Sequence, residues 1–544
     1  MKHKTKQNRN VMHEMTGTIA ALFVILMLGF FPLFFQDGYF NIAEAKLMFF
    51  YFCGAGLTVL TLVLAGTGYM QERKTRKAGQ KGAGVVKGNL KEMLKQIPLD
   101  SWFAIGLALS VVIATVCSVN PSESFYGIDG RHLGAIMFAL CIAAYVILGK
   151  YLQPGIWMAW IFLASGGLVS LILILQFWGI NVFHLWDDML SSQIGMFAST
   201  IGNVNACGTY FCMILPVGMV LYYLSDGLLS RVLYGIFLTL GFYGAYATNT
   251  EGWILGLGVS FLVMLWFSLK NHDYAKRFLE MCLMFWGASL ILKLTLIAGA
   301  EKTDAFMKQL FLGLTLQNFM VSRPVLLAEG IALILLLILV ITAEKKNWEI
   351  PYGKLRKVFF IMIAVLFGFA AAAVLAVNLS GEKQWEGMFQ WMNRLKLQDN
   401  FGSGRGVIWK QTWIAWKKLP VGRKFFGYGL NCFHLFLYEY QGAELASYGG
   451  RIVDPHNELL QFLSITGIFG TVSYFGLLIS SAVTAGKQSR HYPVMMMGTV
   501  MILSYMAQSM VNNPTAFLMP TLFLYLGILK SLQRHYKEKA AEGK

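Results

Sequence analysis

Asp454-Pro455-His456-Asn457-Glu458-Leu459-Leu460 closes a long polar stretch and opens an apolar run. Asp454 suits an N-cap, and Pro455 suits the first helical position, where its missing N–H costs nothing. The pattern therefore predicts a helix with His456 and Asn457 in its first turn. The positive end of the helix dipole disfavours imidazolium there, so His456 is expected to be neutral and able to accept a proton. The same residues would serve equally as a polar cap at a membrane surface. Three arginines fall where they could assist such a base. Arg131 ends the loop running from Asn120, Arg405 opens a Trp-bearing helix, and Arg451 precedes the His456 turn. Arginine forks match phosphate oxygens, and a neutral His beside them can deprotonate a hydroxyl while they stabilise a departing phosphate. That is the chemistry of group transfer from a phosphate ester, although each arginine alone could be a salt-bridge partner or a headgroup contact.

Other candidate groups are few. Lys293 and Glu329 lie at matching depth inside neighbouring apolar runs and are predicted to pair or to share a polar cavity, as an ion pair holding two helices or in a catalytic role. Asp187-Asp188 does not suggest a metal, because adjacent carboxylates point to different faces and no third ligand follows. The seven cysteines lie mostly in apolar runs with no CxxC or CxxH spacing, so neither a disulfide framework nor a metal site is expected.

The elements that must position these groups are membrane helices. The chain is 56% hydrophobic and 13% charged, against about 25% charged in soluble domains. Apolar runs fall at 16–35, 44–69, 101–119, 132–149, 155–177, 205–224, 231–248, 252–269, 278–298, 323–342, 357–378, 457–484, 492–511 and 515–531. Each is near the roughly 20 residues that cross a bilayer, giving an all-α polytopic membrane protein with about 14 transmembrane helices. The first run follows Lys2–Arg9 and reads as an uncleaved helix.

With the N-terminus in the cytoplasm, loops 70–100, 270–277, 343–356, 485–491 and the tail are basic and inside, while 36–43, 178–204, 248–251 and 512–514 lack Lys and Arg. The net charge of +17 thus follows the positive-inside pattern and does not argue for nucleic acid. Both termini are expected in the cytoplasm, and the His456 turn outside the cytoplasmic membrane.

The expected organisation is a cytoplasmic N-terminus (1–15), two spans (16–69), a basic cytoplasmic linker (70–100), a transmembrane bundle (101–378), an outer loop (379–455), three last spans (456–531) and a cytoplasmic tail (532–544). The outer loop is basic against the trend, which suggests anion binding. Within it, Trp385, Phe389, Met392 and Leu395, and then Trp409, Trp413 and Trp416, recur at helical spacing. Both sets read as amphipathic helices in the headgroup region, though a Trp stripe could also stack on sugar rings. Gly202-Asn203-Val204-Asn205 reads as a helix entrance with Asn205 as a possible cap.

These pieces together resemble the O-antigen ligase and O-antigen polymerase family of bacterial membrane glycosyltransferases. The matching residues are Ile201-Gly202-Asn203-Val204-Asn205, Arg405 with Trp409 ahead of Pro420 and Gly427-Tyr428-Gly429, Pro455-His456-Asn457-Glu458-Leu459-Leu460 with Gly467 and Gly470, and Gln508 with Asn512-Asn513. The similarity is clearest over about 230–480. It implies a GT-C-like fold and an inverting, metal-independent transfer at the outer face, with no cofactor. The implied donor is a glycan on undecaprenyl diphosphate, and the implied acceptor is a lipid-sugar core or another lipid-linked glycan, with membrane lipids around the site. His456 would be the base or acceptor-orienting residue. Arg405, Arg131 and Arg451 would hold the diphosphate, and Asn457, Asn203, Asn205, Lys293, Glu329 and Gln508 would support the site. One departure stands out: Glu251 occupies a position where the family pattern has Arg. A polysaccharide or lipid transporter, or a non-catalytic scaffold of an envelope-assembly complex, is the alternative reading.

Overall fold

The computed structural model describes residues 2–79, 97–128, 131–187, 189–190, 193–248, 250, 252–299, 323–346, 351–379, 396, 401–446 and 452–542. The expected helix around Trp385, Phe389, Met392 and Leu395, the linker interior, Arg451 and Glu251 lie outside the described residues.

All fourteen apolar runs are occupied by helix. In chain order these are α1 (Lys2–Ile25), α2 (Ile42–Gly79), α3 (Leu99–Val116), a short α4 (Pro121–Tyr126), α5 (Ala135–Tyr151), α6 (Trp157–Phe177), α7 (Val204–Leu224), α8 (Leu228–Ala247), α9 (Gly252–Ser268) and α10 (His272–Gly299). Then come α11 (Arg323–Lys345), α12 (Tyr352–Leu379), α13 (Phe401–Lys418), α14 (Val421–Phe426), α15 (Phe433–Leu445), α16 (Glu458–Ile465), α17 (Gly467–Gln488), α18 (Met496–Ser509) and α19 (Met519–Ala541). Among the described residues ten helices are long and apolar enough to cross a membrane, and Ala135–Tyr151 and Gly252–Ser268 are shorter apolar helices. Strand is confined, among the described residues, to a two-stranded antiparallel pair, β1 (Phe197–Ala198) and β2 (Gly202–Asn203), at the entrance to α7.

The centre of the bundle is α7, which packs on α8, α9 and α18. α19 lies along α5, and α17 lies along α3. Residues such as Phe211, Met213, Tyr474, Met519 and Phe523 are buried there. α11 and α12 keep most of their surface outside the protein, as helices facing hydrocarbon can.

Two helix breaks shape the molecule. The first apolar run does not end as a plain α-helix. It passes through a π turn at Leu26–Phe30 and a 3-10 turn at Phe31–Leu33, where Pro32 cannot continue the ladder. The freed carbonyls are met by Lys46, whose Nζ donates to Phe31 O at 2.7 Å and Pro32 O at 3.1 Å, and by Thr200 Oγ1, 2.8 Å from Pro32 O. Lys46 is 1% exposed. It joins Lys293 and Glu329 as a buried ionisable group, and the sequence reading missed it because it sits where a span begins.

The second break corrects the single span expected over 457–484. Helix stops at Ile465 and restarts at Gly467, whose φ is +67°. Tyr428 N–H donates to Ser464 O at 2.9 Å and Gly429 N–H to Ile465 O at 3.1 Å, so the loop satisfies carbonyls the helix leaves open. Gly427 has φ +84°, and a Cβ there would stand 2.3 Å from Ile465 O. Only glycine permits this approach of loop to helix.

Candidate active site

The His456 turn is built differently from its sequence expectation. Asp454 does not cap the helix, and neither His456 nor Asn457 is in its first turn. The N-cap is Asn457, whose side-chain oxygen accepts from Leu460 N at 3.0 Å, and α16 begins at Glu458. Asp454 Oδ1 instead accepts from His456 N at 3.1 Å, an Asx turn spanning Pro455. The side chain of Asp454 closes this local turn, and asparagine takes the cap three residues on. His456 is left with φ +48°, a left-handed conformation uncommon outside glycine. The turn is pinned from two sides. Trp409 Nε1 donates to Pro455 O at 2.8 Å, and Asn457 Nδ2 donates to Met510 O at 2.8 Å, just past the end of α18.

Asp454 is also the electrostatic hub. Its Oδ2 lies 2.6 Å from an Arg131 Nη, and its Oδ1 lies 3.5 Å from His456 Nδ1. The carboxylate side chain is 3% exposed, whereas Arg131 and His456 each keep about a third of theirs open, at 30% and 36%. Arg405 stands one helical turn before Trp409 on the same face of α13, and its charge reaches His456. Burial holds the His456 imidazole below its ordinary range. The Asp454 carboxylate opposes that shift, and the Arg405 and Arg131 guanidinium groups add to it. His456 precedes the N-cap of α16, so it does not sit in the first helical turn from which the sequence reading invoked the dipole.

The structure therefore brings Arg131, Arg405 and His456 to one place and adds Asp454 between them. Sequence reasoning assigned Asp454 only as a cap. Its pairing with Arg131 joins residues 323 positions apart, for which one sequence carries no signal. Trp409, read as part of an interfacial stripe, proves to hold the turn.

The supporting residues form a second, drier layer. Asn203, not Asn205, caps α7, accepting from Asn205 N at 2.9 Å. Asn203 sits in β2 with the non-helical backbone a cap needs, whereas Asn205 is already helical. Gln508 Nε2 donates to Thr209 Oγ1 at 2.7 Å, and Asn512 Nδ2 reaches Asn205 O at 3.2 Å and Thr209 Oγ1 at 3.1 Å. These amides tie the entrance of α7 to the end of α18, whose Met510 carbonyl holds Asn457. They reach the histidine through the backbone and do not touch it. Glu458, fully buried, accepts from Tyr474 OH at 3.0 Å and Tyr505 OH at 2.9 Å, fixing α16 to α17 and α18. Lys293 Nζ donates to Glu329 Oε2 at 2.6 Å, the ion pair expected from their depth. It joins α10 to α11 and stands apart from the His456 cluster.

A cavity of about 310 Å³ lies between α6, α7, α18 and α19, lined by Leu28, Phe162, Met497, Met501 and Leu529 with His535 at one end. It borders the start of α18, the end opposite to the one that anchors Asn457, so it is not part of this cluster.

A family model described as O-antigen ligase matches residues 310–475, a stretch that contains Arg405, Trp409, Asp454 and His456. No curated protein matches the chain. With its many apolar helices, the chain is a multi-pass bacterial membrane protein. The match makes residues 310–475, less than half of the chain, similar to the O-antigen ligase family.

Proposed function

We propose that this protein is a membrane glycosyltransferase that moves a glycan from an undecaprenyl-diphosphate carrier to a hydroxyl acceptor at the outer face of the cytoplasmic membrane. The observation that carries the reading is the Arg131–Asp454–His456 cluster with Arg405 in electrostatic reach, inside or beside the family-matched region. Asp454 holds the His456 backbone N–H and sets its carboxylate charge 3.5 Å from Nδ1, which favours presenting Nε2 to the acceptor. A neutral His456 takes the acceptor hydroxyl proton as that oxygen attacks the anomeric carbon. The carbon–oxygen bond to phosphate breaks, and the diphosphate leaves with the electron pair. Arg405, with Arg131 as far as its bond to Asp454 allows, offers positive charge to the developing anion. Attack opposite the leaving group gives inversion, and guanidinium groups supply the cationic charge, so the reaction is written as metal-independent.

The basic loops on the opposite side support placing the His456 turn outside, with both termini in the cytoplasm. Diphosphate is already a good leaving group, so positioning, local positive charge and one base suffice. The test is transfer by the purified protein from a polyprenyl-diphosphate glycan. Wild type is expected to form ligated or polymerised product, and His456→Asn at least about a hundredfold less. A fully active His456→Asn protein would remove the base from the mechanism.

A further inference from the structure

Residues 401–426 carry six basic side chains (Arg405, Lys410, Lys417, Lys418, Arg423 and Lys424) and no acidic one. They form α13 and α14, and the two helices are not equally placed. α14 lies against the end of α3 and the start of α17, two helices long and apolar enough to cross a membrane. Arg423 donates to Cys117 O at 2.5 Å, just past the end of α3, and Phe426 lies 6.4 Å from Phe469 in the first turn of α17. α14 therefore sits at the level where spanning helices end, and there it exposes Val421, Phe425 and Phe426.

The end of α13 joins this corner. Trp413 and Trp416 stack at 5.2 Å with 8° between planes. Lys417 Nζ lies 5.6 Å over Trp413, and Lys424 Nζ lies 5.6 Å over Trp416. Exposed apolar groups, stacked indoles and lysines in a stretch without acidic residues are the chemistry of an interface with anionic headgroups. Trp409, which holds the His456 turn, is one helical turn from Trp413 on the same face.

We propose that the corner formed by the end of α13 and by α14 is a binding surface for anionic phospholipid, and that its occupancy holds the His456 turn at the headgroup plane. Phosphate lies between Lys417 and Lys424 at the edges of the Trp pair, and the acyl chains lie along Phe425 and Phe426. An acidic glycan would find the same charges, but it would leave three exposed apolar side chains beside the span ends without a partner. Lys418 is not part of the site, because its Nζ is turned to Tyr440 O at 3.2 Å. The consequence for transfer rests on the glycosyltransferase reading, whereas lipid binding does not.

The full-length protein is purified from mixed phosphatidylcholine and phosphatidylglycerol, and retained lipid is counted by mass spectrometry. Lys417→Gln/Lys424→Gln is expected to lower phosphatidylglycerol retention about fivefold per lysine, leaving phosphatidylcholine unchanged. Trp413→Ala is expected to shift retention the same way, and Lys418→Gln is expected to retain wild-type levels. Equal phosphatidylglycerol retention by wild type and the double variant would overturn the site. So would a loss in Lys418→Gln as large as in the double variant, since that would report net charge alone. So would capture of a free anionic oligosaccharide that depends on Lys417 and Lys424 while lipid retention does not.

Discussion

His456 combines a left-handed backbone, a buried carboxylate on one side and two arginine charges in reach. The conformation costs on the order of 1–3 kcal/mol for a non-glycine residue, held by the bonds around it. Asparagine tolerates that backbone, so His456→Asn is expected to fold like wild type and lose the base, with a rate drop of about 10²–10⁴-fold. The pH profile gives a sharper test. In the proposed mechanism only the neutral ring serves as base, so the rate is expected to rise as pH climbs through the His456 pKa. Because that pKa is lowered, the acid limb is expected below the ordinary histidine value. Arg405 lowers the pKa, so Arg405→Gln is expected to move the limb to higher pH. Asp454 raises it, so Asp454→Asn is expected to move the limb to lower pH and to reduce the plateau through loss of orientation. Rates measured from acid to neutral pH, spanning the ordinary histidine range, check both directions.

At the scale of elements, the turn is held by α13 and by the end of α18. Trp409→Phe removes the bond to Pro455 O while keeping an aromatic ring, and a loss of about 1 kcal/mol in positioning corresponds to about fivefold in turnover. Asn457→Ala loses the cap and the bond to Met510 O, with an expected stability cost of at least about 1 kcal/mol in thermal unfolding. These elements also show what a single sequence could reveal. The membrane helices were legible because hydrocarbon demands about 20 apolar residues per crossing, and that demand is written in composition, although ten described helices, against fourteen expected, are long and apolar enough to cross. The gathering of His456, Arg131 and Arg405 was legible because few polar groups compete with them. The start of α16 was misread because Asp454 and Asn457 are both good caps, and the choice depends on Arg131 and Trp409, which only the fold brings near. The break at Thr466 was invisible because the carbonyls it exposes are satisfied from Tyr428 and Gly429, far back in the chain.

At the scale of the molecule, three separate polar sets in the bundle matter most: the Lys46 site that closes the end of the first span, the Lys293–Glu329 pair, and the amide layer behind His456. The first two lie apart from the arginine cluster, and their geometry is that of helix fastening. Removing one partner of a buried pair strands a charge, so Lys293→Met is expected to destabilise by about 3–5 kcal/mol. Lys293→Met/Glu329→Met is expected to recover most of that, as read by thermal unfolding in detergent. Recovery in the double variant would mark the pair as structural.

In the proposed reaction one neutral histidine, beside Asp454 and within reach of the Arg131 and Arg405 charges, takes the acceptor proton as the glycan leaves a lipid diphosphate. The most direct measurement is product formation from a polyprenyl-diphosphate glycan by purified wild type and His456→Asn, both verified as folded in the same detergent. The expected result is product with wild type and at least about a hundredfold less with the variant. Equal rates for the two, or no transfer by a folded wild-type protein supplied with donor and acceptor, would contradict it.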